Sequence, residues 1–271
     1  MAAGATSATA LIFGGRYSPP AADLDNTESY NGTAWTEIAD LNTAKQGGSG
    51  FGTETSAISA GGNPQPSPTC ESWNGTSWSE VSNINTSRAT LGESGTTNTS
   101  GMIFGGDPGP KDDTETWNGT SWSETADLNT ARSQLRGAGY APTTDTLAMG
   151  GEAGPGNYSD LTETWNGTSW AETADLNTAR ASGGGAGTSS TDAMYFGGYS
   201  PGGLVALTEL WNGTSWTEIS DMGVSKQQTQ GYGTTSSAMS AFGDMPAGSP
   251  RYTTTSQVFA AQDATQTFTA T

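Results

Sequence analysis

The chain of 271 residues contains no histidine and a single cysteine, Cys70. Lacking histidine, it has no Ser-His-Asp triad, no imidazole general base and no ordinary zinc or copper centre. One cysteine excludes an internal disulfide and any multi-cysteine metal site. Cations are scarce too: nine Lys and Arg stand against 27 Asp and Glu, a net charge of −18. No nucleic-acid partner is expected, because phosphate binding draws on clustered Lys and Arg. No apolar run approaches the ~18 residues that read as a membrane span, so no membrane insertion is expected. The opening "MAAGATSATALIFGG" lacks the positive region of a signal peptide, which points to synthesis in a cytoplasm.

Charged residues make up only 13% of the chain and hydrophobic ones 32%, a composition that borders on the disordered class. Nine Trp argue for a fold, since each can bury about 150–250 Å². The 39 Gly, with abundant Ser and Thr, suit short strands and tight turns and weaken helices.

Internal repetition dominates what is present. The triplet Asn-Gly-Thr begins at Asn31, Asn74, Asn118, Asn166 and Asn212, at spacings of 43, 44, 48 and 46 residues. An aromatic precedes each Asn (Tyr30, Trp73, Trp117, Trp165, Trp211), and a Trp stands two residues after each Thr (Trp35, Trp78, Trp122, Trp170, Trp216). Every Trp is thus spent on the repeat. A second marker, an apolar run ending in a Gly pair, recurs at "LIFGG" (11–15), "MIFGG" (102–106) and "MYFGG" (194–198), and decays to "MSAFGD" (239–244). Asn-Gly between aromatic flanks predicts a two-residue type I′ hairpin with Asn and Gly both at positive φ, which sets the two rings diagonally on one face. Each period reads as four strands, with the small-residue strand innermost.

The stretch "YNGTAWTEIADLNTAK" (30–45), followed by a Gly-rich strand and a closing Gly pair, resembles the kelch repeat. The "WNGTSWTE" wording (211–218) also resembles repeats of bacteriophage and marine viral structural proteins. The kelch resemblance implies an all-β, six-bladed β-propeller with four antiparallel strands per blade. It is read as one domain over 1–271, with blades near 1–42, 43–85, 86–129, 130–177, 178–223 and 224–271. The last hairpin, "SQVFAAQDATQTF" (256–268), loses its Asn-Gly turn and has Phe259 and Phe268 in place of Trp. The basic position of the first blade falls about three residues before Met1. Closure is expected from packing of the first blade on the sixth, or with help from "FTAT" (268–271).

Three charges recur in every full repeat. One Glu precedes the first aromatic by two residues (Glu28, Glu71, Glu115, Glu163, Glu209) and another follows the Trp by two (Glu37, Glu80, Glu124, Glu172, Glu218). One cation opens each inner strand (Lys45, Arg88, Arg132, Arg180, Lys226). Paired carboxylates could serve glycoside hydrolysis, but an active site is a single asymmetric place, so ion pairing between blades and edge solvation are expected and no enzyme. Carboxylate loops at 23–26 and 107–113 lack the ligand spacing of an EF-hand, so neither metal nor cofactor is expected. The Asn-Gly-Thr triplets, with Asn85, Asn98 and Asn157, are formal glycosylation acceptors that turn chemistry explains. Cys70 reads as a small buried or half-buried residue and not as a nucleophile.

Strand alternation sends the uniform Asn-Gly turns to one face and six varied, Pro- and Tyr-containing loops to the other. Recognition on a rigid scaffold resides in such loops. Tyr17, Tyr158, Tyr199 and Tyr252 are the candidate ligand contacts, with Lys111 and Arg251 as charged ones. The viral resemblance implies a non-enzymatic virion structural or adhesion protein of a phage tail or fibre. Its partner would be a host glycan or another virion protein, and a homo-oligomer is compatible with the sequence. A purely structural decoration protein and a cellular kelch-type adaptor are the alternatives.

Overall fold

A computed structural model describes residues 1–17, 22–141, 144–241, 243, 255–260 and 264–269, the side chains of 17, 140–141, 255–260 and 264–269 excepted. The chain is an all-β propeller. The first sheet comprises β1 (Ala2–Thr6), β2 (Thr9–Tyr17), β3 (Ala22–Tyr30) and β4 (Trp35–Glu37). The second comprises β5 (Ser49–Thr53), β6 (Ser56–Ala60), β7 (Cys70–Trp73) and β8 (Trp78–Val81). The third holds β9 (Gly92–Thr97), β10 (Ser100–Phe104), β11 (Thr114–Trp117) and β12 (Trp122–Glu124). The fourth holds β13 (Arg136–Ala141), β14 (Asp145–Met149), β15 (Thr162–Trp165) and β16 (Trp170–Glu172). In the fifth, β17 (Gly184–Ser189), β18 (Asp192–Phe196), β21 (Thr208–Trp211) and β22 (Trp216–Ile219) form the sheet, and a small ribbon of β19 (Tyr199–Ser200) and β20 (Gly203–Leu204) is inserted. A last sheet runs β23 (Gln230–Thr234), β24 (Ser237–Ala241), β25 (Thr255–Ala260) and β26 (Ala264–Thr269).

The innermost strands β1, β5, β9, β13, β17 and β23 lie side by side in that order, and β23 returns to β1. Closure therefore rests on the β1–β23 contact, while β26, which carries the first two residues of "FTAT", is outermost. Small residues are obligatory at this hub: a Cβ added to Gly137 would overlap the Glu93 carbonyl oxygen of the neighbouring strand. Among the described residues no helix is long and apolar enough to cross a membrane.

The expectation of a six-bladed propeller is corrected. Five blades, not six, are built on the aromatic hairpin. The last sheet has neither the Asn-Gly turn nor a Trp, and β25 and β26 pair in unbroken register from Thr255↔Thr269 to Ala260↔Ala264. A hairpin with no indole pair to bury relies on longer strand pairing instead.

The expected hairpin geometry is also corrected. Tyr30 pairs directly with Trp35, and Trp73, Trp117, Trp165 and Trp211 pair likewise with Trp78, Trp122, Trp170 and Trp216. Four residues, not two, make each turn. Only the Gly has positive φ (Gly32, 92°). The Asn accepts two backbone hydrogen bonds on its side chain, as Asn31 Oδ1 does from Thr33 and Ala34 at 3.0 Å each. An Asn side chain closing its own turn replaces the second left-handed residue.

The cores lie between sheets: six clusters of buried side chains each join two successive ones. Within a hairpin the rings meet tilted, with centroids 5.2 Å apart for Trp117 and Trp122. The second Trp also reaches the preceding blade, Trp78 lying 4.8 Å from Phe13 and Trp170 5.0 Å from Phe104. All the Trp are buried except Trp35, which is half-buried against the last sheet. Trp78, Trp170 and Trp216 donate their indole N–H to Thr27, Thr114 and Thr162 of the blade before, at 3.0, 3.1 and 3.1 Å.

The patterned Glu residues face each other across each hairpin, as Glu71 does Glu80, and divide by strand position, the second series lying on the edge strand. Glu37, Glu80, Glu124, Glu172 and Glu218 are exposed on the outer strands. Glu71, Glu115, Glu163 and Glu209 are buried and paired with Lys45, Arg88, Arg132 and Arg180 from the incoming linkers. Each of these carboxylates also accepts the backbone N–H of a linker Asn, Asn42, Asn85, Asn129 or Asn177, at 2.7 Å. A buried pair tolerates loss of neither partner, so the pairing fixes how each linker docks.

Candidate functional site

Two residues beyond each linker cation the backbone turns left-handed. Gly47, Thr90, Gln134, Ser182 and Gln228 have φ of 61°, 55°, 56°, 58° and 52°. Their side chains differ but their backbones form one chain: Thr90 N–H donates to Gly47 O (2.6 Å), Gln134 to Thr90 (2.9 Å), Ser182 to Gln134 (2.9 Å) and Gln228 to Ser182 (2.7 Å). Non-glycine residues held at positive φ carry strain of order 1–3 kcal/mol and cluster at functional sites. Here they make an arc around the propeller axis. Among the described residues no residue of the first blade joins it.

The arc rims a funnel of about 890 Å³. Its wall carries the amides of Gln46, Asn63, Gln134, Gln228 and Gln230, the hydroxyls of Thr90 and Ser182, and the charges of Arg16, Glu28 and Arg136. It opens on the face of the varied loops, which leave the wall at Arg16, Asn63 and Gly243. Below it a channel of about 60 Å³, lined largely by Gly and Ala of the inner strands, has room for only a few waters. The funnel is thus blind to anything larger.

At the junction of funnel and channel stands Glu93. Ser49 Oγ donates to its carboxylate at 3.1 Å, and burial pushes its carboxyl above the usual range while Arg136 opposes that shift. Arg136 is fixed by its Nε–H donating to Gly183 O at 2.8 Å. On the first-blade wall, burial and then the facing Glu37 raise the Glu28 carboxyl. Among the described residues no group of three or more Asp, Glu or Cys is placed to hold a metal ion. Cys70 is buried and its thiol is pushed up to about 11 by burial, which leaves it protonated and unreactive at neutral pH.

The structure brings two of the sequence-derived contact residues together. Tyr158 and Tyr199, from the loops of adjacent blades, lie with ring centroids 5.7 Å apart at 43°. Tyr199 is 37% exposed and Tyr158 half-buried. Tyr199 bridges Ala181, next to Ser182 of the arc, and Tyr158 bridges Glu152, whose carboxylate accepts from Gln134 Nε2 at 2.7 Å. The pair therefore sits directly outside the funnel rim. Lys111 bridges Arg132 in the same loop layer, one blade earlier. Tyr17 ends β2 opposite Ala22, its side chain outside the described residues, and Arg251 and Tyr252 lie outside them altogether.

Sequence reasoning missed Glu28 as a wall residue, the left-handed arc, and the Glu93–Arg136 junction. The last left a signal: Glu93 and Arg136 are the charged residues of the inner strands, "GESGTT" and "RGAGYA" against "GGAGTS".

No protein-family model matches the chain, and no curated protein matches it. A solved structure, "Structure of YjhT", superposes with a TM-score of 0.77 over 98% of this chain and 96% of that one, at 14% identity. The likeness is one of fold. It supports a β-propeller spanning the whole chain and carries no activity across.

Proposed function

We propose that the chain is a kelch-like, non-enzymatic virion structural and adhesion protein, tail- or fibre-associated, that presents its varied-loop face to a host glycan. The observation that carries this reading is the Tyr158–Tyr199 pair set outside a funnel of amides and hydroxyls. Aromatic rings offer the C–H faces of a sugar a rigid apolar platform, and amide side chains supply paired donors and acceptors for its hydroxyls. The wording of the repeat supports a viral setting, and a net charge of −18 favours a soluble, non-aggregating exterior. A glycan array tests the reading. Saturable binding that Tyr158→Ala and Tyr199→Ala each weaken at least tenfold is expected. No glycan or cell binding by the wild type would favour a decoration protein whose loops touch only other virion subunits.

A second reading has one observation behind it: Glu93, with its raised carboxyl, beside Arg136 at the funnel floor. Turnover of a glycoside panel that Glu93→Gln abolishes would establish it.

A further inference from the structure

Glu93 and Arg136 break the near-symmetry of the hub at a single place. The inner strands read AAGAT, SGFGT, GESGTT, RGAGYA, GGAGTS and QGYGT, and these two are their only charged residues. They stand on adjacent strands, for Gly137, next to Arg136, faces the Glu93 carbonyl oxygen. Arg136 opposes the upward push of burial on the Glu93 carboxyl, so the two charges feel each other. Yet they close no ion pair with one another. Each is drawn the other way. Ser49, in the second sheet, donates to the Glu93 carboxylate at 3.1 Å. Arg136 donates from Nε to Gly183 O, at the entry to the fifth sheet, at 2.8 Å, and from Nη1 to Leu135 O at 3.2 Å. Among the described residues its Nη2 has no partner. The pair is thus set by the second to fifth blades and needs nothing of the first.

A carboxylate only accepts hydrogen bonds and a guanidinium only donates them. Held apart on neighbouring strands, the two are bridged by a group that donates at one end and accepts at the other. Two adjacent hydroxyls of a sugar ring do this: one O–H donates to Glu93, the next oxygen accepts from Arg136, and both bonds are charge-assisted. The place of the pair then decides which sugar of a chain it meets. Below it only the channel of about 60 Å³ continues, with room for a few waters, while above it the funnel widens to about 890 Å³. A glycan therefore reaches the floor with an end and not with its middle. The Tyr158–Tyr199 rings, outside the rim, are left for the units behind the tip.

Resting on the glycan reading above, we propose that Glu93 and Arg136 form a tip-reading subsite that takes the terminal unit of a glycan through two adjacent free hydroxyls. Chains that end in such a diol are selected over the same chains with the diol blocked, because a site built to hydrogen-bond a hydroxyl rejects the analogue that lacks it. The tyrosine pair adds affinity for the body of the chain and is indifferent to its end.

The test is an array of oligosaccharides in matched pairs, whose members differ only in whether the adjacent hydroxyls of the non-reducing terminal unit are free or O-methylated. With the wild-type chain, O-methylation is expected to weaken binding at least tenfold, a comparison that needs no variant. Arg136→Gln and Glu93→Gln are each expected to weaken binding of the free-ended members at least tenfold and to erase the difference within pairs. Tyr199→Ala is expected to weaken both members alike. Equal binding of both members by the wild type would overturn the proposal and leave the adhesion reading in place. So would a preference for free ends that survives in both charge variants with native Trp emission. Binding to no member at all would overturn the glycan reading and the proposal with it.

Discussion

Position 70 offers a quantitative test of how the blades are stitched. The residue that begins the third strand's buried face is Thr27, Thr114, Thr162 or Thr208 in four blades and Cys70 in the second. Where both partners exist, the Thr hydroxyl accepts the indole N–H of the next blade's second Trp at 3.0–3.1 Å. Trp122, which faces the second blade, is buried, and among the described residues its Nε1 has only the Cys70 thiol, a weak acceptor, to turn to. Cys70→Thr supplies the stronger acceptor at nearly constant volume. The new hydroxyl proton also has an acceptor, because Cys70 Sγ already lies 3.5 Å from Pro68 O, as Thr114 Oγ1 does from Asp112 O. A net hydrogen bond is worth about 0.5–1.5 kcal/mol, and relieving a buried orphan donor about 1–3 kcal/mol. Stabilisation by about 1–2 kcal/mol is therefore expected, equivalent to roughly 2–8 °C in Tm at 2–4 °C per kcal/mol for a chain near this size. Equilibrium urea unfolding of four proteins, wild type, Cys70→Thr, Trp122→Phe and the double variant, gives the coupling directly. The gain must vanish in the Trp122→Phe background. A neutral or destabilising Cys70→Thr, or a gain that survives without the indole, refutes the reasoning.

Two further outcomes follow. Lys226, 1% exposed and with Nζ unpartnered among the described residues, has its ammonium pushed by burial from 10.5 down to about 8. Between pH 8 and 10.5 the unfolded chain holds a proton there that the folded chain has lost, so its penalty of roughly 3 kcal/mol is full below pH 8 and relieved as pH rises to 10.5; Lys226→Met is expected to stabilise at pH 7 and to lose that advantage by pH 10.5, read by denaturant unfolding across pH. Glu115→Gln leaves the buried Arg88 guanidinium without its opposing charge and is expected to cost about 3–5 kcal/mol, whereas Glu124→Gln on the exposed outer strand stays within about 0.5 kcal/mol.

The propeller was legible because its repeat spends scarce residues on schedule: every Trp, and a cation and two Glu per full period, fall at matching offsets. The turn was misread because Asn-Gly suits two geometries, and only coordinates show that Asn31 uses its side chain where a type I′ turn would use a left-handed backbone. The two Glu series face each other across the hairpins, and which one is buried depends on how each linker folds back, a long-range fact. The arc was invisible for a different reason. Gly47, Thr90, Gln134, Ser182 and Gln228 share a backbone state and no side-chain type, so no residue pattern announces it. Glu28 was legible as a member of its series, but its opening into the funnel was not. The last sheet shows the limit of repeat logic, since substituting Phe259 and Phe268 kept four strands while abandoning the hairpin plan.

The central claim is that recognition belongs to the varied-loop face and the uniform turns are bystanders. Single cysteines at exposed Gly202, in the β19–β20 turn, and exposed Thr76, in an Asn-Gly turn, can be capped with a maleimide polymer while buried Cys70 stays unmodified. Binding of each capped protein to host cells is then measured. Blockage at Gly202→Cys with full binding at Thr76→Cys is the predicted result, and blockage at Thr76→Cys alone would contradict it.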